Sequence, residues 1–400
     1  MSITKQTLPR FFRQGLCAGL ILLGGTVSSC TDPFTPEVTS SPPSFLVVDG
    51  FLNSQGVTTV RLSRTFAVAA KTAPPAETRA TVYIEDEAGT KLLLSETTGG
   101  VYRSAALALS PTRQYRLHLR TATGQEYASA YVPVKTTPPV DAVNWRPTSD
   151  GLRISVDAHD ATGATQYYRW ETDETWEIRS PYSPTVEYVN RAMRDLLVPF
   201  PRPCYGNTHS TAVQLYKTTS LGQDVVSDFQ VRQLPRPTPL LFSRYSILVQ
   251  QHALTKEEYA YWELLRKNTE SIGSLFDAQP AQLTGNVQCL SNPAEPVLGF
   301  VGAHSLTEKR IFIARNQLPP DWPLADGYES CVPPDTVYLF KKPSGKPAPA
   351  ERLESNFNPS SGVLPIDALL ERGVVIGYTA KGRECIDCRT RGTVVKPSFW

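Results

Sequence analysis

Short strand-like segments alternate with turn residues between residues 45 and 135, and this pattern constrains the fold of the 400-residue chain more than any other feature. In the segment 115–120, for example, Tyr115, Leu117 and Leu119 share one face of a strand. Turn residues close such segments at intervals of about 8–12 residues, and no helical period lies between them. This spacing is typical of an Ig-like β-sandwich, which we predict over residues 45–136.

Residues 140–400 carry further strand signals around one helical segment. Thr255 and Glu258 have the spacing of a capping box, in which each side chain satisfies a free backbone donor of the other residue. Aromatic residues follow at helical spacing, and Gly273 is a suitable stop. We therefore predict a mainly β protein, in which the Ig-like β-sandwich is followed by a larger β-rich (α+β) domain. That domain has one long helix at about residues 256–271 and a disulfide-tied C-terminus.

The first 29 residues have the pattern of a secretory signal, with basic residues and no acid before the apolar run Leu16–Val27. Small residues precede Cys30, as in a bacterial lipobox. We predict cleavage before Cys30, lipidation of its sulfur and amino group by chains such as palmitate, and anchoring in the outer membrane. Residues 30–44 are rich in Pro, Ser and Thr and are predicted to be a flexible tether. The alternative is an ordinary secretory signal with a chance cysteine.

Five cysteines remain after Cys17 and Cys30, and an oxidising compartment favours disulfides between them. An odd number allows at most two bridges, and we expect Cys289 to stay free. The cysteines predicted to form bridges are Cys204, Cys331, Cys385 and Cys388. A bridge within the CxxC spacing of the last two and a redox or metal role are the alternatives. Zinc would need a second pair of ligands at matching spacing.

Charge and motifs argue against several functions. Lys and Arg total 40 against 38 acids, so the net charge of +2 gives no general case for binding nucleic acid. The chain contains no HExxH, GxSxG, GxxxxGK[ST] or GxGxxG motif. We therefore predict no metal, no cofactor and no catalytic residue.

One segment of the second region combines tryptophan with acids. In a strand, its even-numbered residues would share one face and its odd-numbered residues the other. Paired carboxylates serve glycoside hydrolysis, and aromatic residues beside acids are typical of sugar-binding faces. The alternative is that the acids pair with arginine and the tryptophans lie in the core. The candidate surface consists of Trp170, Glu171, Asp173, Glu174, Trp176 and Glu177.

Motifs along nearly the whole mature chain resemble one known family. These are Leu46–Gly50, Gly99–Tyr102, Tyr167–Glu177, Arg244–Gln251, Tyr259–Trp262, Gly273–Pro280, Val297–Phe300, Arg310–Ile313 and the closing Cys385–Arg389 and Lys396–Trp400. In their type and order they are similar to domain of unknown function 4249, a family of lipoproteins of Bacteroidota.

The resemblance implies an outer-membrane lipoprotein, facing the periplasm or the cell surface, and often encoded beside TonB-dependent receptors. We expect a non-enzymatic accessory or binding component of such a transport system, with the lipid anchor and a TonB-dependent receptor as its partners and an unidentified ligand. A glycan-binding or glycan-hydrolysing protein using the segment 170–177 is one alternative. A purely structural or adhesive surface lipoprotein is the other. The family contributes no catalytic residues.

Overall fold

The computed structural model describes residues 44–67, 72–270, 283–339 and 350–400. The predicted signal over residues 1–29, Cys30, the tether up to residue 43 and the helix stop at Gly273 lie outside the described residues. Among the described residues, no helix is long and apolar enough to cross a membrane.

The N-terminal strands form one large sheet with two short strands from later in the chain. Fully buried Leu46, Leu62, Ile84 and Leu119 belong to its core. The strands of this first sheet are β1 (Leu46–Asn53), β2 (Gln55–Arg64), β3 (Thr81–Asp86), β4 (Lys91–Thr98), β5 (Val101–Ala108), β6 (Gln114–Arg120), β7 (Glu126–Ser129), β8 (Val132–Lys135), β18 (Val287–Cys289) and β19 (Ala303–His304).

The first sheet closes on itself and is barrel-like. Its strands run in the order β6-β3-β4-β5-β2-β1-β19-β8, and β8 pairs back with β6 through Tyr115 and Val132. The predicted Ig-like β-sandwich over residues 45–136 is therefore not confirmed, although the strands themselves are present. Alternating apolar residues are expected in both architectures, and the pairing that closes the sheet joins residues that no local pattern connects.

Two strands of the closed sheet come from outside the segment 45–136. Strand β19 lies between β1 and β8 and is parallel to both, and β18 adds to β7. The closed sheet is thus completed only when residues 287–304 return to it from the second region.

In the second region, a three-stranded sheet and a five-stranded sheet share one core, which includes Ile154, Trp170, Leu234 and Ile247. The three-stranded sheet contains β9 (Val140–Thr148), β10 (Gly151–His159) and β16 (Val225–Pro235). The five-stranded sheet contains β11 (Tyr167–Ile178), β14 (Cys204–His209), β15 (Gln214–Lys217), β17 (Arg244–Ala253) and β20 (Leu306–Ala314).

The long helix, α1, spans Lys256–Glu270 and follows strand β17 directly. The backbone N–H of Glu258 donates to Thr255 Oγ1 at 3.1 Å, which is half of the predicted capping box. The other half is not formed, because the Glu258 carboxylate turns away from the helix end, as described below.

Two disulfides gather the C-terminal elements around a small core. Cys204 bonds to Cys388 and Cys331 to Cys385, while Cys289 is free and buried. The elements of this part are β12 (Val186–Val189), β13 (Ala192–Asp195), β21 (Asp335–Tyr338), β22 (Val363–Glu371), β23 (Val374–Gly382), α2 (Ala350–Phe357) and α3 (Arg383–Ile386).

Asp387, inside the CxxC segment, is fully buried and receives charged hydrogen bonds from Arg383 and Arg389. Burial alone would raise the pKa of Asp387, but the hydrogen bonds from Arg389 and Arg383 bring it below its usual value. The segment therefore serves as a structural junction in the C-terminal part.

Candidate functional site

A cleft of about 460 Å³ lies where strands β1 and β11 and helix α1 meet. Strand β1 supplies one wall, strand β11 a second and the first turns of α1 a third. Its lining residues are Asp49, Gly50, Phe51, Thr59, Arg169, Glu171, His209, Ser210, Thr211, Ala212, Val213, Glu258 and Trp262. The volume lies within the range of small-molecule sites, about 300–1,000 Å³.

Arg169 is the central cation of the cleft. Its Nη1 donates to Glu171 Oε1, and its guanidinium lies over the indole of Trp262, 4.2 Å from the ring centroid. Only 8% of Arg169 is exposed, and its Nε has no hydrogen-bond partner among the described residues. Strand β11 thereby holds a buried guanidinium whose donors are only partly used.

Glu171 lies between two histidines. Its Oε2 is 3.9 Å from His209 Nε2 and 3.8 Å from His252 Nε2, while its Oε1 accepts from Arg169. His252 is opposite Arg169 in the pairing of β11 with β17, so the sheet register fixes this group. The arrangement is a carboxylate with one arginine and two imidazoles at the edge of the cleft.

Behind the cleft, three rings join the closed sheet to the five-stranded sheet. Phe51 stacks on His304 with centroids 4.3 Å apart, and His252 meets His304 edge-on at 5.1 Å. Both histidines are buried. Burial, followed by the neighbouring Arg169 guanidinium and His304, lowers the pKa of His252 well below its usual value, which keeps this imidazole neutral.

Glu258 is a buried carboxylate with an unused oxygen. It is 2% exposed, its Oε1 lies 3.6 Å from His304 Nε2, and its Oε2 has no hydrogen-bond partner among the described residues. A Cβ atom at Gly302 would lie 2.1 Å from Glu258 Oε2, so glycine there leaves space for the carboxylate. The capping-box interpretation of Glu258 is thus wrong for its side chain, because the carboxylate lines the cleft.

The two tryptophans of the predicted surface differ, since Trp170 lies in the interior and Trp176 is partly buried. Trp170 is fully buried, and its Nε1 donates to Gln251 Oε1 at 2.9 Å. Trp176 packs against the core and onto Gly206, where a Cβ would lie 2.4 Å from the indole. Strand alternation turns Trp170 toward the core, so the two tryptophans do not form one exposed face.

Two acids of the same segment, Glu174 and Glu177, pair with arginine. Arg232 Nε lies 2.8 Å from Glu174 Oε1, and Glu174 is 2% exposed. Glu177 accepts from Arg179 and from Trp400 Nε1. A binding surface made of all six predicted residues is therefore not what the structure contains.

The two remaining acids differ in their surroundings. Asp173 accepts from Asn207 Nδ2 at 2.9 Å and does not line the cleft. Glu171 does line it. Glu171 is thus the one member of the predicted surface that the structure places in the cleft.

The three rings behind the cleft have no sequence signal that brings them together. Phe51, His252 and His304 lie far apart along the chain and meet only through sheet pairing and α1 packing. Trp262 belongs to the aromatic residues at helical spacing, and the structure places it on the cleft. The pairing of acids with arginine, given above as the alternative, is present between Glu171 and Arg169. No local sequence motif predicts these long-range contacts.

The family model described as "Domain of unknown function (DUF4249)" matches residues 31–310. The chain belongs to the DUF4249 family. The match ends before the disulfide-tied C-terminus and includes every residue that lines the cleft.

Other comparisons of this DUF4249 protein give no functional lead. A search of curated proteins found no significant match. One solved structure is titled "Complete structure of manganese lipoxygenase of Gaeumannomyces graminis and partial structure of zonadhesin of Komagataella pastoris"; the matched chain is 12% identical. The match covers 55% of this chain and 91% of that chain, and its TM-score of 0.15 is too low to indicate a shared fold.

The chemistry available in the DUF4249 cleft is recognition by charged groups and hydrogen bonds. Arg169 Nε, Trp262 Nε1 and Glu258 Oε2 are buried polar atoms without hydrogen-bond partners among the described residues. Buried polar atoms are normally satisfied, so unpaired ones around a cleft indicate a place for a polar ligand or ordered water. Within the described ranges, no group of three or more His, Cys, Asp or Glu side chains is arranged to hold a metal ion.

Proposed function

We propose that this protein is a lipid-anchored outer-membrane protein of a member of the Bacteroidota, attached through Cys30, that binds a small ligand in the cleft. It acts as a non-enzymatic accessory component beside a TonB-dependent receptor. Capture of a ligand near such a receptor would raise the ligand's local concentration at the transporter.

The observation that carries the binding role is the pair of buried, partly unused charged groups in the cleft. Arg169 and Glu258 are both more than nine-tenths buried, and each has one polar atom without a hydrogen-bond partner among the described residues. Leaving such atoms unsatisfied costs about 1–3 kcal/mol each. A ligand that supplies the missing partners recovers that free energy, and this is the physical basis for binding at this place.

A binding role is favoured over glycoside hydrolysis by the segment 170–177, because its acids do not come together in the cleft. Glycoside hydrolysis uses two carboxylates that flank the scissile bond. In the segment 170–177, Glu174 and Glu177 are held by arginine, and Glu171 is the acid that reaches the cleft. Its Oε1 already accepts from Arg169.

The membrane placement is supported by the sequence around Cys30 and by the disulfides. Small residues precede Cys30 directly after the apolar run, and several acyl chains would make a stable anchor. The two disulfides of the C-terminal part fit an oxidising compartment outside the cytosol.

Co-purification tests the accessory role. The full chain, with an affinity tag after Trp400, is extracted from outer membranes in mild detergent and its partners are identified by mass spectrometry. We expect a TonB-dependent receptor at near-stoichiometric yield with the wild type and its loss with Cys30→Ala, which removes the anchor. Recovery of no receptor after chemical crosslinking in intact cells would contradict the proposed association.

A further inference from the structure

The charges that line the cleft do not balance. Asp49, Glu171 and Glu258 contribute three carboxylates, and Arg169 contributes the one guanidinium among the described lining residues. Arg169 is already paired with Glu171, and the nearest group to Glu258 Oε1 is the His304 imidazole at 3.6 Å. Leaving the histidines aside, Glu258 and Asp49 have no basic partner among the described residues that line the cleft.

We propose that the cleft binds the cationic end of a small organic molecule, a primary ammonium or a guanidinium, with Glu258 as its principal acceptor. This inference rests on the proposed function only in taking the cleft as the ligand site. A cation placed between Glu258 and Asp49 makes charge-assisted hydrogen bonds, which are about twice as strong as neutral ones. It also gives a partner to Glu258 Oε2, an acceptor that has none among the described residues.

The cleft already holds one organic cation, the guanidinium of Arg169. The Arg169 guanidinium lies 4.2 Å from the centroid of Trp262 while it donates to Glu171. An aromatic face with a nearby carboxylate is a favourable environment for organic cations. An anionic ligand would instead have to compete with Glu171 for Arg169 and approach two further carboxylates.

The remaining polar groups indicate what else the ligand carries. Trp262 Nε1 is a donor without a partner among the described residues, and Ser210 and Thr211 place hydroxyl groups on the lining. A carbonyl or hydroxyl oxygen on the ligand would accept from Trp262. The expected ligand is therefore a cation that also carries an uncharged acceptor.

Calorimetric titration of the detergent-solubilised full chain tests this inference with matched probes. The cationic probes are Nα-acetyl-L-lysine methylamide and Nα-acetyl-L-arginine methylamide. Their uncharged counterparts are Nα-acetyl-L-norleucine methylamide and Nα-acetyl-L-citrulline methylamide. We expect at least one cationic probe to bind at least tenfold more tightly than its counterpart, with an affinity that falls as salt is added.

Substitutions test whether the cationic probe binds in the cleft. Glu258→Gln keeps the shape of the side chain and should weaken the cationic probe at least tenfold. Glu87→Gln makes the same change on an exposed turn and should leave the affinity unchanged. Equal affinity for charged and uncharged probes, no binding of either cation at millimolar concentration, or unchanged affinity in Glu258→Gln would overturn the inference.

A second variant tests the inference if Glu258→Gln does not fold. Asp49 is exposed at the cleft, so Asp49→Asn should fold normally, weaken the cationic probe several-fold and reduce its salt dependence. Unchanged binding in Asp49→Asn would count against the inference. Because the titration needs no receptor and no membrane, its failure is distinct from a failure of the co-purification.

Discussion

The imidazole of His252 meets the ring of Phe51 edge-on, with centroids 5.1 Å apart and an angle of 88° between the planes. Phe51 belongs to strand β1 of the closed sheet and His252 to strand β17 of the five-stranded sheet. The contact therefore joins the two sheets directly behind the cleft. Any change in the charge of His252 acts on this junction.

The contribution of His252 should lower the stability of the protein when the pH drops below about 6.5, the ordinary pKa of histidine. The pKa of His252 is lowered in the folded protein, mainly by burial and then by Arg169 and His304, with Glu171 Oε2 also facing it at 3.8 Å. Below pH 6.5 the unfolded chain takes up a proton that folded His252 does not. The free energy of unfolding should then decrease by up to about 1.4 kcal/mol per pH unit.

Urea unfolding of the wild type and His252→Gln between pH 7.5 and 5.0 measures this effect as a difference. His159 works in the opposite direction, because the hydrogen bond that its ring donates to Asp141 raises its pKa in the folded state. The comparison of the two proteins cancels His159. A slope that is identical in both would show that His252 is not held neutral in the fold.

Glu174→Gln should destabilise the protein without involving the cleft. Glu174 is buried against Arg232, and Tyr245 donates to its Oε2 at 2.8 Å. The substitution leaves the charge of Arg232 without its buried partner, and partial exposure of Arg232 reduces the cost. We expect the free energy of unfolding to decrease by about 2 kcal/mol or more. Chemical unfolding measures it.

Glu187→Gln is the matched control for that substitution. Glu187 pairs with Arg194 on an exposed hairpin, and surface ion pairs contribute about 0–1 kcal/mol. If both variants lose the same small amount of stability, the Glu174 pair is not the structural contact described here.

Local sequence patterns predicted the features that depend on neighbouring residues. They did not predict the features that depend on contacts between distant parts of the chain. The start of helix α1 follows from Thr255, whose hydroxyl accepts from the backbone of Glu258. The position of the Glu258 carboxylate depends on Gly302 and His304, which belong to a different part of the chain. Local spacing therefore located the helix and misassigned the side chain that matters most for the cleft.

The same distinction explains the closed sheet. Alternating residues identified its strands, but closure depends on β8 pairing with β6 and on β19 entering from residues 303–304. Neither pairing can be predicted from the alternation of apolar and polar residues. The alternation specifies which face of a strand is buried and not which strand is its neighbour.

Removing either disulfide should lower stability, and the longer loop should cost more. Cys331 and Cys385 are 54 residues apart, and Cys204 and Cys388 are 184 apart. Loop entropy gives about 4 kcal/mol for the shorter bridge and about 5 kcal/mol for the longer one, as upper values. Paired alanine substitutions and calorimetric melting measure the two losses.

The free thiol supplies the control for this experiment. Cys289 is buried in the first sheet and takes part in neither bridge. Cys289→Ala should leave the sensitivity to a reducing agent unchanged. If reduction no longer lowered the melting temperature of Cys289→Ala, the assignment of the bridges would be wrong.

The central claim, attachment of this protein to a membrane outside the cytosol, is tested most directly by the intact mass of the protein extracted from cell membranes. The account predicts a mature chain that begins at Cys30 and carries a diacylglyceryl group on sulfur together with an acyl chain on the amino group. A mature chain that begins at any other residue, or one that begins at Cys30 without lipid, would contradict it.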